Sequence, residues 1–249
     1  MKLSGDIVAR LVEVDPDRVR AAQLAAPGDR NALMVLYAFH AELAKVPELV
    51  SEPLIGQIRY QWWRDALEEA FAGKPVRKHE VATPLAEMLR EREVARFWMD
   101  KVIDGRERDL DPRPIGSIQA ATAYAKATSG ALMQAAVAVL GEEPDARVQA
   151  LGTAWGLMGL ARSFRFYKSG LLKGLERQAL IDAADAALES GAGRLPPGCV
   201  PGVAYAALVP LYGRALSRLG PEADTKDAKV GAVRKQARLM RVAVSGKVR

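Results

Sequence analysis

The chain has 249 residues, 49% of them hydrophobic, with a formal charge of +6 and a sequence pI near 9.5. That is enough apolar material for a sizeable core, and the alanine-rich, β-branch-poor composition with little two-residue alternation argues against a sheet of any size. The single cysteine, Cys199, excludes an internal disulfide and fits a reducing compartment.

In chain order, the first eighteen residues carry acids at Asp6 and Glu13 and no apolar run, so they do not read as a secretory signal. Asp15 followed by Pro16 reads as an N-cap with proline at the first helical position, opening a helix that ends near Pro27 and Gly28. Asp29 or Asn31 is expected to cap the next helix. That helix carries Ala32, Leu36, Phe39, Leu43 and Val46 on one stripe and Leu33, Tyr37, His40 and Ala44 on the adjoining one, so it faces protein on most sides. Pro47 and Pro53 separate it from a second helix, which presents Gln57, Gln61, Arg64 and Glu68 on one face and runs to Gly73. Thr83 and Glu87 suggest the start of a further helix, and Glu107 to Ser117 reads as a charged connection. Two long helices are then expected, Ser117–Leu140 and one from after Pro144 to about Gly170. Shorter helices follow over Leu175–Glu189 and Leu208–Leu219, separated by a glycine- and proline-rich loop. From about 221 the chain becomes a basic C-terminal helix or tail.

There is no tandem repeat, and no run approaches about eighteen consecutive apolar residues, so no membrane-spanning segment is expected. The reading is an all-α single domain over residues 1–249. The positive charge suits anionic partners and also ordinary solubility. The tail lacks interleaved aromatics, which argues against nucleic acid and leaves an acidic membrane surface as its better match. Location is expected to be cytoplasmic or peripheral at the inner face of a membrane.

Four stretches carry a resemblance to a known family. Tyr37-Ala38-Phe39, Ile58–Leu67 (IRYQWWRDAL), Tyr124 to Gly130, and Ala154–Ser163 (AWGLMGLARS) occur in the order found in squalene/phytoene synthases. Within that group, the stretch from Phe39 to Leu67 resembles a divergent branch that includes an assembly factor of respiratory complex I. The resemblance implies an isoprenoid-synthase-type helical bundle around a central cavity. It also implies a site where two aspartate-rich motifs on facing helices hold Mg²⁺ against a diphosphate.

Here the first motif's positions fall on Ala44, Lys45 and Glu48, and the second's on Gly156, Gly159 and Ser163. No Asp or Glu occurs between Ala146 and Leu175. A lysine a few ångströms from a divalent ion costs several kcal/mol, about twice the unit-charge value at an effective dielectric near 20. No catalytic residue, cofactor or metal is therefore expected. The alternative is an active head-to-head prenyl transferase with a non-standard Mg²⁺ site. Lys45, Arg162, Arg165 and Lys168 could bind a phosphate directly, or the last three could line a solvated stripe. Phe39, Trp62 and Trp155 would wall an isoprenoid or lipid pocket, or simply pack. His40 reads as a hydrogen-bonded core histidine or a base, and His79 has no partner at metal spacing. The function expected from these features is a diverged, non-catalytic member with a lipid-binding or complex-assembly role involving a protein partner; a pure interaction scaffold would lack the pocket.

Overall fold

The computed structural model of the protein describes residues 3–167, 169–219 and 228–248. It is built from helices, named here in order: α1 (Gly5–Val14), α2 (Pro16–Ala22), α3 (Pro27–Lys45), α4 (Pro53–Phe71), α5 (Ala82–Glu91) and α6 (Arg96–Glu107). These are followed by α7 (Ile118–Ala125), α8 (Ala131–Val139), α9 (Ala146–Arg162), α10 (Phe164–Tyr167) and α11 (Arg177–Gly191). Last come α12 (Val200–Val203), α13 (Val209–Ser217) and α14 (Ala232–Ser245). The β structure among the described residues is one antiparallel pairing, Gly193 with Val248 and Arg194 with Lys247, which pins the end of α14 to the loop after α11.

Local chemistry sets several of these boundaries. Ser4, Ser117 and Asp145 each cap a helix by accepting from a backbone N–H three residues on. Asp15 stands before Pro16 as expected but makes no side-chain cap; its carboxylate turns to Arg18 instead. The α3 helix begins at Pro27, earlier than Asp29 or Asn31 would place it, and Asp29 pairs with Arg92 of the α5 terminus. The cap of α5 comes from His79, whose Nδ1 accepts from Val81 and Ala82 N–H at 3.1 and 3.3 Å.

The expected Ser117–Leu140 helix is interrupted by a π-turn at Lys126–Gly130, a one-residue widening that the apolar periodicity does not reveal. The following long helix stops at Arg162, earlier than the expected end near Gly170.

Two apolar clusters form the core. One gathers α1, α3, α4, α5 and α6 around Leu36, Phe39, Tyr60 and Leu67; the other gathers α9, α11, α13 and the Ala204–Leu208 turn around Leu157, Tyr205 and Leu216. Although no run approaches about eighteen consecutive apolar residues, one helical stretch passes a test of length and composition for a membrane span. It is Pro197–Ser217, where four helical pieces run on without a charged break until Arg214; 72% of its apolar window is buried.

Candidate functional site

Between the two clusters lies a chain of buried polar groups. It begins at α2, where the Arg18 guanidinium, 6% exposed, donates to Asp15 at 2.5 Å and stacks over Tyr205 and Tyr37, 5.2 and 6.0 Å from their ring centres. Burial disfavours its charge, and Asp15 more than offsets this, holding the group above its usual range. Among the described residues the Tyr37 and Tyr205 hydroxyls have no hydrogen-bond partner; burial pushes Tyr37 well up and Tyr205 up.

The chain continues one helical turn along α3 at His40. Its Nε2 lies 3.0 Å from Arg106 Nη2. An arginine only donates, so His40 accepts with a neutral ring and carries its proton on Nδ1. Burial, then Arg106 and Arg18, hold the imidazole well below its ordinary value. Arg106 also reaches Asp109 at 2.8 Å and Tyr124 Oη at 3.2 Å, while Tyr124 donates to Asp109 at 2.6 Å. Tyr60 closes the network by reaching the Arg106 carbonyl at 3.0 Å and that of Leu43 at 3.3 Å. With His40 neutral, two arginines face two aspartates, so the chain neutralises itself.

The residues singled out from sequence distribute as follows. Phe39 is fully buried and meets Trp63 edge-on at 5.1 Å. Trp62 and Trp63 both lie 5.2 Å from the His79 ring, and Arg77 stacks on Trp62. This aromatic group walls a pocket of about 260 Å³ between α3 and α4, lined also by Val46, Leu49 and Ile58. Trp155 packs against Tyr205 and Tyr212, in the other cluster. Glu48, in the turn after α3, is exposed and within electrostatic reach of Tyr167 on α10.

The four residues suggested as a phosphate cluster, Lys45, Arg162, Arg165 and Lys168, are placed as follows. Lys45 pairs with Glu42 at 2.8 Å and lines a 270 Å³ cleft against α1. Arg162 instead stacks on Tyr212 at 4.1 Å, because an aromatic face shields its charge as α9 ends. Arg165 is exposed, and Lys168 lies outside the described residues.

Sequence reasoning missed Arg18, Arg106 and Asp109. Their only signal was three charges close to helix ends, a pattern that ordinarily marks solvent.

At the second motif, a Cβ built on Gly156 would meet Ala125 Cβ at 2.9 Å and Ser129 Cβ at 3.0 Å. One turn earlier, a Cβ on Gly152 would meet the Ser129 carbonyl at 2.6 Å. These glycines let α9 seat against the π-turn, so at Gly156 the face that the resemblance assigns to ligands serves as a packing surface, while Gly159 has open space.

Residues 11–166 match Squalene/phytoene synthase. The chain belongs to that family. Assembly factor 6 of NADH dehydrogenase (ubiquinone) complex I from Mus musculus is 32% identical over 143 residues, 56% of this chain and 43% of the relative. The Homo sapiens protein of that name is 29% identical over the same shares. The chain thus spans less than half the length of these relatives. A dehydrosqualene synthase solved with ligand superposes with a TM-score of 0.74 at 13% identity, covering 96% of this chain and 94% of that one. Squalene synthase HpnC from Alicyclobacillus acidocaldarius gives 0.62 at 14% identity, over 97% and 93%. The all-helical isoprenoid-synthase fold is therefore shared.

The residues present do not fit the family's Mg²⁺ ions. Hard divalent cations need several oxygen ligands, yet Ala44, Gly156 and Gly159 offer no side-chain donor and Lys45 offers a cation. Among the described residues no group of three or more His, Cys, Asp or Glu could hold a metal ion. The neighbouring Arg106 guanidinium already binds His40 and Asp109. The protein is a diverged family member that retains the fold.

Proposed function

We propose that this protein is non-catalytic and acts in the assembly of a respiratory NADH dehydrogenase, as a peripheral protein at the inner face of a membrane. The observation that carries this reading is the replacement of the ionising site. Gly156 of the second motif is spent on packing, with Gly152 one turn earlier, and Arg18 and Arg106 are each neutralised by an aspartate. Neither guanidinium of this central chain is free to draw a diphosphate leaving group away. The naming of the relatives supports the assembly role.

A protein partner is supported by the outer surface of α4. Leu49, Leu54, Ile55 and Ile58 are between 42% and 63% exposed, and two of them edge the Trp62–Trp63 pocket. That concentration of apolar side chains within one turn and the following helix start is characteristic of interaction surfaces. The pocket also offers an apolar wall to an isoprenoid or lipid chain.

Two measurements test the reading. Purified protein incubated with farnesyl or geranylgeranyl diphosphate and Mg²⁺ should release no diphosphate; sustained release abolished by Glu48→Ala would establish the prenyl transferase alternative. Deleting the protein from its host should lower assembled NADH dehydrogenase on native gels. Wild type and Glu48→Ala should restore it equally, and undiminished assembly after deletion would refute the role.

A further inference from the structure

A groove of about 550 Å³ opens between α11, α13 and α14, away from both the central polar chain and the α4 surface. Its walls carry Arg214 and Arg218 from the end of α13 and Arg238 from α14, with Ser217 and Gln178 between them and one carboxylate, Asp185. Arg238 donates through Nε to the Ala207 carbonyl at 3.1 Å, which fixes the guanidinium plane. Among the described residues, Arg214, Arg218, Arg238 and the adjacent Arg241 form no ion pair. Burial, then Arg241 and Arg214, disfavour the charge on Arg238, so these cations face one another across a groove whose lining carries one carboxylate, Asp185.

The same helix supplies a second, independent feature. Val233, Met240 and Val244 are 83%, 46% and 85% exposed. At about 100° per residue they fall within about 40° of one another around α14. Arg234, Arg241 and Arg238 follow about 80–140° further round, leading into the groove. Leu239 and Val242, on the opposite side, are buried and anchor the helix. An exposed apolar ridge flanked by arginines is the arrangement of a helix lying in the headgroup layer of a bilayer.

We propose that this groove binds the phosphate of an acidic phospholipid headgroup, with Val233, Met240 and Val244 resting against the lipid interface beside it. Planar guanidinium groups suit phosphate oxygens, which accept paired N–H donors. This assignment rests on the peripheral-membrane part of the proposed function and names the surface responsible.

The test is co-sedimentation of the full chain with vesicles of phosphatidylcholine alone or mixed with phosphatidylglycerol. Wild type should bind the acidic vesicles, and Arg214→Gln with Arg218→Gln should weaken binding by about fivefold for each arginine removed. Arg214→Lys should keep most of the binding, and Val233→Ser with Met240→Ser should weaken it without altering net charge. Arg59→Gln, which removes an equally exposed cation on α4, should leave binding within about twofold of wild type. Equal losses from Arg59→Gln and the groove variants would overturn the assignment to this groove. So would suppression of binding by millimolar inorganic phosphate at constant ionic strength, which would mark the groove as a site for free phosphate. If wild type binds acidic vesicles but the groove variants do so unchanged, this inference fails and the membrane reading stands. If wild type does not bind them, both fail, while the diphosphate-release and assembly measurements still judge the rest. Thermal melting of each variant confirms that these exposed substitutions leave the fold intact.

Discussion

Acidification should destabilise this protein through His40 before its carboxylates titrate. The neutral imidazole accepts from Arg106, and burial together with Arg106 and Arg18 holds its folded pKa well below the unfolded value near 6.5. Below about pH 6.5 the unfolded chain therefore binds a proton that the folded chain refuses, and stability falls as pH falls. The slope is about 1.4 kcal/mol per pH unit, continuing until the folded pKa is reached, whereas above about 6.5 the contribution is complete and flat. Between pH 6.5 and 5.5 the loss from this residue should be about 1 kcal/mol, since the titration begins gradually. His40→Gln supplies an acceptor for Arg106 that cannot be protonated. Urea denaturation of both proteins at pH 7.5, 6.5 and 5.5, a range of about two units, separates the contribution of His40 from all others. Wild type should lose stability relative to His40→Gln by that amount. Parallel profiles would refute the neutral, Arg106-bonded state of His40.

Gly105→Ala should be severely destabilising, by about 3 kcal/mol or more, because its Cβ would sit 2.0 Å from the Ala127 carbonyl oxygen; denaturant midpoints check this. Asp17→Ala removes the acceptor of Tyr212 and of Lys235 at 2.9 Å, leaving a cation that is only 13% exposed. The cost should be about 3 kcal/mol, read by urea denaturation, with faster proteolysis within α14 as its local signature. Tyr60→Phe should cost about 1 kcal/mol by the same measurement, since two buried carbonyls lose their shared donor. Cys199, buried and with its thiol pushed up to about 11, should react with a maleimide only on unfolding.

The apolar helices were legible because their stripes coincide with burial. Leu33, Leu36, Phe39 and Leu43 all lie in the core as their spacing implies. The π-turn at Lys126–Gly130 was hidden, since one extra residue shifts the register without changing which side chains are apolar. The candidate site divides in the same way. Absence of carboxylates can be read directly from Ala44, Lys45, Gly156 and Gly159. What occupies the centre could not be read there, because Asp109 belongs to the charged connection and Arg106 stands at its edge, where the default reading is solvent. Only the approach of α6 to α3 turns Arg106 onto His40. Arg162 shows the converse: spacing places it on the expected face, and its stacking on Tyr212 depends on a neighbour that spacing does not reveal.

The close seating of α9 on the π-turn makes the divergence of this chain directional. A glutamine returned to position 156 would bring its first side-chain atom within 2.9–3.0 Å of Ala125 and Ser129. The ancestral ligand therefore cannot return one substitution at a time; α7 and α9 would have to separate first. Until they did, a donor restored at position 156 would act as a folding defect before it could serve as a metal ligand, whereas Gly159 faces open space. The two glycines work as a ratchet, and a resurrected synthase would have to begin with the helix spacing.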